Sequence, residues 1–484
     1  MKSTKVIKLL LKIPERDKRK FRKFIESPYF NETQSIVKLY SFIESFKKEN
    51  YDDPELNYES LSEELFPADK FQKDAITKLL SKLYQLLQSF LLHQQVDIHS
   101  LNGKLQLLSK YLDLNEMELF ESLQKDIDRH IKAEKNLDSD FYYDLFQYQG
   151  HIASYLSMKG IRKGDINLQE LNLALDKYFI VSKLYHLCLM KNRERIIQFE
   201  YNYTLREEII EYVDSVAELS SDPIITTWKS ALQLLENPLS EDIYMELKEK
   251  KGRYKLFSQV DARSIFTFLE NATRELFGDG DRRFKELMDL YKMQLDSGVM
   301  YFNDYLHKNI LKNIITVAIH TNQLDWARDL LQSLKKKNKI MIFPEEQSQM
   351  VYNFNMASVL FHKREFENAR QLLYVDEFND IFYKLDSYVL LLEIRYETAD
   401  FHEIESFINK FRVFLHRSKE LKDKRKDIYR SFLNIYELLY KTRREATEKK
   451  RSSLISKMKK KLETEDYLYE RDWFNRKIKQ IETI

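Results

Sequence analysis

The chain has 484 residues, of which 8 are Gly and 7 Pro, about 3% against the ~12% of average usage. Turn-rich folds need glycine for positive φ and proline for fixed turns, so sandwiches, barrels, propellers and Rossmann sheets are excluded, and an apolar content of 43% with 13% aromatics excludes disorder. Lys+Arg 79 against Asp+Glu 77 leaves a net charge of +2, without the basic excess of a dedicated nucleic-acid binder, and the single cysteine, Cys188, has no internal disulfide partner, which fits a reducing compartment.

Residues 1–135 read as an N-terminal helical unit. Lys8 and Lys12 interrupt the apolar run at the start and Pro14 follows it, which is not the pattern of a signal peptide. No stretch reaches 18 apolar residues, so no membrane span is expected and the protein is expected in the cytoplasm. Ser27-Pro28-Tyr29-Phe30-Asn31 reads as a turn with Asn31 as the following N-cap, and Leu65-Phe66-Pro67 as the end of a short helix. Ile76, Leu79, Leu80, Leu83, Leu86, Leu87, Phe90 and Leu91 then recur at spacings of 3 and 4, the mark of an amphipathic helix. Asn102-Gly103 reads as a turn before another helix.

Residues 136–300 continue in helical period as a helical-hairpin array. One hairpin spans about 141–158 and 167–190 around Gly160-Ile-Arg-Lys-Gly164, and further breaks fall at Ser220–Pro223, Asn237-Pro238 and Gly278–Asp281. Each interval holds one or two helices, a regularity that suggests stacked hairpins.

Residues 301–416 carry the clearest repeat. Asn322–Leu331, Arg364–Leu373 and Asp400–Ile408 align, with Leu324 and Phe366 each three residues before an alanine, Ala327 and Ala369, and with Phe401 and Ile404 in the third window. These windows resemble the second helices of tetratricopeptide repeats, with Ile315, Ala357 and Leu392 where that family usually has glycine in the first helix. The Ser-Pro-Tyr-Phe-Asn turn followed by Leu-Phe-Pro also resembles uncharacterised helical proteins of Bacteroidota, a likeness that names no activity. The first resemblance implies an all-α fold: a right-handed array of stacked helical hairpins (a TPR-like α-solenoid), with a helical N-terminal unit and, over residues 417–484, a charged helical C-terminal cap. That cap holds the stripe Ile428, Phe432, Ile435, Tyr436, Leu438 and Leu439 and a last helix with Tyr467, Trp473, Phe474, Ile478 and Ile481.

No catalytic constellation stands out. The eight glycines complete no phosphate-cradling fingerprint. Gly278-Asp279-Gly280-Asp281 lacks the rest of a calcium loop. The ten histidines show no zinc spacing, and Cys188 lies in an apolar helical stretch two residues from His186. No cofactor or metal is expected, and the aromatic load reads mainly as core. The basic runs 2–23 and 441–461 each hold ten basic and two acidic residues. They read first as solvated helix faces and otherwise as phosphate or anionic-lipid contacts.

The expected function is a non-enzymatic protein-interaction scaffold. By analogy with peptide-binding tetratricopeptide repeats, the groove would present Lys312, Asn313, Thr316 and His320 from one repeat and Phe354, Asn355, Ser358 and His362 from the next. Asn313 and Asn355 fall at the same repeat position, where an amide's donor and acceptor would clamp a peptide backbone. Two alternatives stay open: a nucleic-acid- or ribosome-associated helical protein using the basic ends, and a helical enzyme whose distributed site is not visible in sequence.

Overall fold

Helix starts follow from short polar side chains that satisfy the orphan N–H groups of a first turn. Asn57 accepts from Ser60 N at 2.8 Å, Ser100 from Gly103 N at 3.0 Å, and Asp138 from Phe141 N at 3.0 Å. Asp222 accepts from Ile224 N at 3.0 Å with Pro223 in the first turn. Asn31 does not act this way. It is buried, donates to Ile25 O at 2.8 Å and accepts from Thr33 N at 3.0 Å, so it fastens the Ser27–Phe30 turn to the preceding helix instead of capping the next.

The computed structural model describes all residues except 1–2, 49, 68–70, 162–163, 196, 198, 337–338, 374–379, 403, 466–467 and 484. Lys2 of the basic run 2–23, Arg162 and Lys163 between Gly160 and Gly164, Glu403 of the third repeat window and Tyr467 lie outside the described residues. The fold is all-α, with five strands of two or three residues among the described residues. The chain forms two units, Met1–Ile180 and Val181–Ile484.

The first unit contains α1 (Lys5–Leu10), α2 (Glu15–Glu26), α3 (Gln34–Ser45), α4 (Tyr58–Leu65), α5 (Lys73–Gln95), α6 (Leu101–Asp113), α7 (Met117–Ala133), α8 (Ser139–Met158) and the start of α9 (Leu168–Glu194). The apolar stripe of α5 packs against α1 to α4 in one cluster that includes Ile7, Phe21, Ile25, Leu39, Leu83 and Leu87, all fully or nearly fully buried. A second cluster joins α6, α7 and α8 through Leu105, Leu108, Phe120 and Ile127. Asn102-Gly103 is not a turn but part of the first turn of α6. Glycine is required there, because a Cβ would lie 2.0 Å from Asp97 O.

The second unit continues with α10 (Arg206–Ser215), α11 (Ala217–Ser220), α12 (Pro223–Glu236), α13 (Glu241–Glu249), α14 (Gln259–Phe277) and α15 (Asp281–Asp296). β1 (Tyr301–Phe302) and β2 (Tyr305–His307) precede α16 (Lys308–His320) and α17 (Leu324–Leu334), and β3 (Lys335–Lys336), β4 (Lys339–Ile340) and β5 (Ile342–Phe343) follow them. Then come α18 (Ser348–His362), α19 (Phe366–Gln371), α20 (Ile381–Glu397), α21 (Ile404–Arg417), α22 (Asp423–Arg444), α23 (Glu448–Thr464) and α24 (Arg471–Glu482). β2 pairs antiparallel with β1 and parallel with β5, Leu306 opposite Ile342.

Helix neighbours follow a rule in α16 to α21. Each odd-numbered helix packs on the even-numbered helices before and after it, and α18 also packs on α16 and α20. The turns inside these pairs share one geometry. Asn322, Arg364 and Ala399 all take positive φ, and the next amide bonds back five residues: Gln323 to Ala318 at 2.8 Å, Glu365 to Leu360 at 2.9 Å, Asp400 to Arg395 at 2.9 Å. This is the six-to-one bond of a left-handed helix cap. Ala327 and Ala369, and Ile315, Ala357 and Leu392 in the preceding helices, are all buried where the helices meet.

Candidate functional site

α16, α18 and α20 bring part of the predicted groove together. α16 carries its polar residues between Leu311, Ile314 and Ala318, which face the core, so Lys312, Asn313, Thr316 and His320 remain accessible. Lys312 and Asn313, with Asn309 one turn earlier, border a cleft of about 300 Å³ whose other walls come from α20, α22 and the segment before α24.

The cleft is organised by Asp386. This α20 carboxylate is 6% exposed. It pairs with the Lys312 ammonium, and its Oδ1 accepts from the Tyr429 hydroxyl at 2.9 Å and from Tyr469 at 2.7 Å. Burial first, and then the neighbouring Asp386 charge, push both phenols well above their ordinary range, so they serve as neutral donors. The two rings stack with centroids 5.2 Å apart. The Lys312 ammonium also lies 5.0 Å from the Tyr383 ring and 5.7 Å from Phe354, which adds cation–π attraction.

A second pair closes one end. Asp380 caps α20 through Phe382 N at 2.9 Å and pairs with Lys308, which also donates to Gln347 at 2.7 Å. Burial works to raise the Asp380 carboxyl, but Lys308 and the helix-start amides outweigh it and hold it below its ordinary value. Arg425 lies over the Phe382 ring at 5.0 Å and makes no ion pair among the described residues. Asn309 and Asn313 are exposed on the same wall.

The remaining predicted residues divide. Phe354 and Asn355 are in the core. Phe354 meets Tyr383 edge-on at 5.2 Å, and Asn355, 1% exposed, donates to Val351 O at 2.8 Å. The expected Asn313–Asn355 clamp is therefore not formed, because α18 is surrounded by protein and its amide is committed within the fold. Ser358 donates to Phe354 O at 3.0 Å. His320 lies parallel to Phe284 at 4.2 Å, and the Nδ1 of His362 is 2.9 Å from Ser358 O.

His320 and His362 share an electrostatic neighbourhood with Arg476 of α24. Burial, aided by that guanidinium, lowers both imidazoles below their ordinary value. On the same side, Glu470 keeps an exposed edge, yet crowding by protein raises its carboxyl to about 7 against the opposing pull of Arg476. Glu393 is buried with Oε1 unpartnered among the described residues, and loss of hydration raises it well above the carboxylate range.

Sequence reasoning missed Asp386, Tyr429, Tyr469 and Arg425. The available signal was Asp386 itself, the one charged residue in the mainly apolar run Leu385–Leu392, which demands a buried partner. Among the described residues, no group of three His, Cys, Asp or Glu is placed to hold a metal ion, and no helix is long and apolar enough to cross a membrane. Cys188 is buried with Sγ 3.6 Å from Trp228 O, and burial pushes its thiol up. No family model matches the chain, and neither does any curated protein or solved structure.

Proposed function

We propose that the second unit is a non-enzymatic interaction scaffold, a right-handed array of helical hairpins that receives an extended protein segment along α16 and α20. The observation that carries this reading is the cleft at Asp386. Its lining includes two exposed amides one helical turn apart, Asn309 and Asn313, together with the exposed Arg425 guanidinium. An amide offers both a donor and an acceptor to a peptide backbone, and Arg425 suits an acidic side chain on the bound segment. The three matching turns and the alternating neighbour rule of α16 to α21 support the repeat architecture.

The test is affinity capture from a native lysate by full-length protein. Wild type recovers a partner whose yield drops with Asn309→Ala/Asn313→Ala and with Arg425→Glu, and is unchanged by Thr316→Ala. Equal recovery by all four proteins refutes the assignment of the cleft.

A further inference from the structure

The first unit carries a feature that the cleft of the second does not use. Lys8, Lys12, Arg16, Arg19 and Lys23 are exposed and make no ion pair among the described residues. Their neighbours do: Lys18 binds Glu15, Lys20 meets Asp17 and Arg22 binds Glu44. Arg16, Arg19, Lys20 and Lys23 fall on one face of α2 at spacings of 3 and 4, a stripe ~10 Å long.

At the end of that helix, the Ser27–Phe30 turn presents Tyr29, which is 87% exposed. The turn is held rigid from below. Phe30 N and Asn31 N bond to Ser27 O at 3.1 and 3.0 Å, and the buried Asn31 amide reaches Ile25 O. Phe30 stacks on Phe24 at 3.9 Å and meets His93 at 4.9 Å, while Tyr29 stands edge-on to Phe30 at 4.9 Å. The fold thus spends a buried asparagine and a stacked phenylalanine on holding one tyrosine in water.

We infer that α2 and Tyr29 bind single-stranded nucleic acid, the cations following the phosphates and the phenol ring stacking on a base. Unpaired cations on a helix that leads into an accessible aromatic ring supply the two elements of a sequence-tolerant single-strand site. A bilayer fits less well, because Val6, Ile7, Leu10, Phe21, Phe24 and Ile25, the apolar faces of α1 and α2, are already buried. The basic run 441–461 lacks such a ring, and its Lys441 and Lys459 are paired with Glu437 and Glu482.

The experiment is fluorescence anisotropy of full-length protein with labelled 12-mers of oligo-U and oligo-dT, with circular dichroism verifying each variant. Four phosphate contacts along the α2 stripe give a salt slope of about −2.8 for a single strand, a loss of roughly 50-fold between 50 and 200 mM salt. Arg16→Ala/Arg19→Ala/Lys23→Ala flattens that slope by about 2. Tyr29→Ala weakens binding about tenfold, and Tyr29→Phe stays within about twofold. The inference is overturned if neither oligomer binds at 50 mM salt, if Tyr29→Ala binds like wild type, if a duplex of the same length binds as tightly, or if phosphatidylserine vesicles bind and the oligomers do not.

Discussion

Replacing Asp386 by leucine tests whether the cleft is held by its buried carboxylate. The change keeps the side chain's branched shape, with methyl groups in place of the carboxylate oxygens, and strands three groups at once: the Lys312 ammonium and the hydroxyls of Tyr429 and Tyr469. Tyr429 is 5% exposed, so its lost charge-assisted bond costs ~2 kcal/mol. Tyr469 is half-buried and the Lys312 side chain 29% exposed, so each regains part of its hydration and loses ~1 kcal/mol. The total, about 4 kcal/mol, lies in the range for removing one partner of a buried ion pair. Residues 181–484 make up 304 positions, and at ~2.1 cal/mol/K each the unfolding entropy of the second unit converts that loss to about 6 °C in Tm. Differential scanning calorimetry of the full chain reads it. A second change sharpens the test. Lys312→Met on the Asp386→Leu background removes the uncompensated cation and should restore ~1 kcal/mol or more. A Tm within 1 °C of wild type for Asp386→Leu, or a double variant that falls further still, refutes the assignment of the carboxylate as the organiser of the cleft.

Two further predictions concern other parts of the chain. Gly103→Ala should destabilise the first unit by ~2–3 kcal/mol in urea unfolding, although alanine is the better helix former by ~1 kcal/mol, because its methyl would strike the Asp97 carbonyl; a variant as stable as wild type would show that the close approach is not there. Glu470, raised to about 7 in the folded chain from an ordinary 4.5, binds more protons folded than unfolded between those values, so it subtracts stability as pH rises through that window. Glu470→Gln should therefore match wild type near pH 4.5 and exceed it at pH 8 by ~1 kcal/mol once screening at the exposed edge is allowed for, and equal stabilities at both pH values in chemical denaturation would count against the crowding of that carboxyl.

Most of the helices were legible because an amphipathic stripe is a local property. The α5 stripe from Ile76 to Leu91 and the two helices α8 and α9 on either side of Gly160–Gly164 stand in the structure as their spacing predicts. Scarcity of glycine misled in one respect. It was read through the need for glycine at positive φ, yet the chain turns at Asn115, Asn322, Arg364 and Ala399 in left-handed conformation without glycine, each such residue accepting a cost of ~1 kcal/mol for a compact helix cap. The small strands were not legible at all, because two or three residues are too short to show alternation. Asn102-Gly103 failed for a different reason: a dipeptide that normally marks a turn serves here to let one helix start press against the preceding backbone.

The candidate site divides along the same line between local and distant causes. Lys312 and Asn313 were found because α16 has one apolar face and leaves its polar residues on the other. Asn355 was misplaced because α18 has no such asymmetry. Val351, Phe354, Asn355, Met356, Val359 and Phe361 are buried around its circumference, so repeat position alone does not say which side chains meet solvent. What Lys312 does depends on Asp386, 74 residues away, and Asp386 in turn on Tyr429 and Tyr469, 43 and 83 residues further on. No periodicity encodes contacts of that separation. A helical array therefore shows in its sequence which residues point outward, while the chemistry of its clefts comes from which helices come to face one another. A lone acid inside an apolar helical run, as at Asp386, is the trace such a meeting leaves in sequence, since a buried carboxylate requires partners wherever they come from.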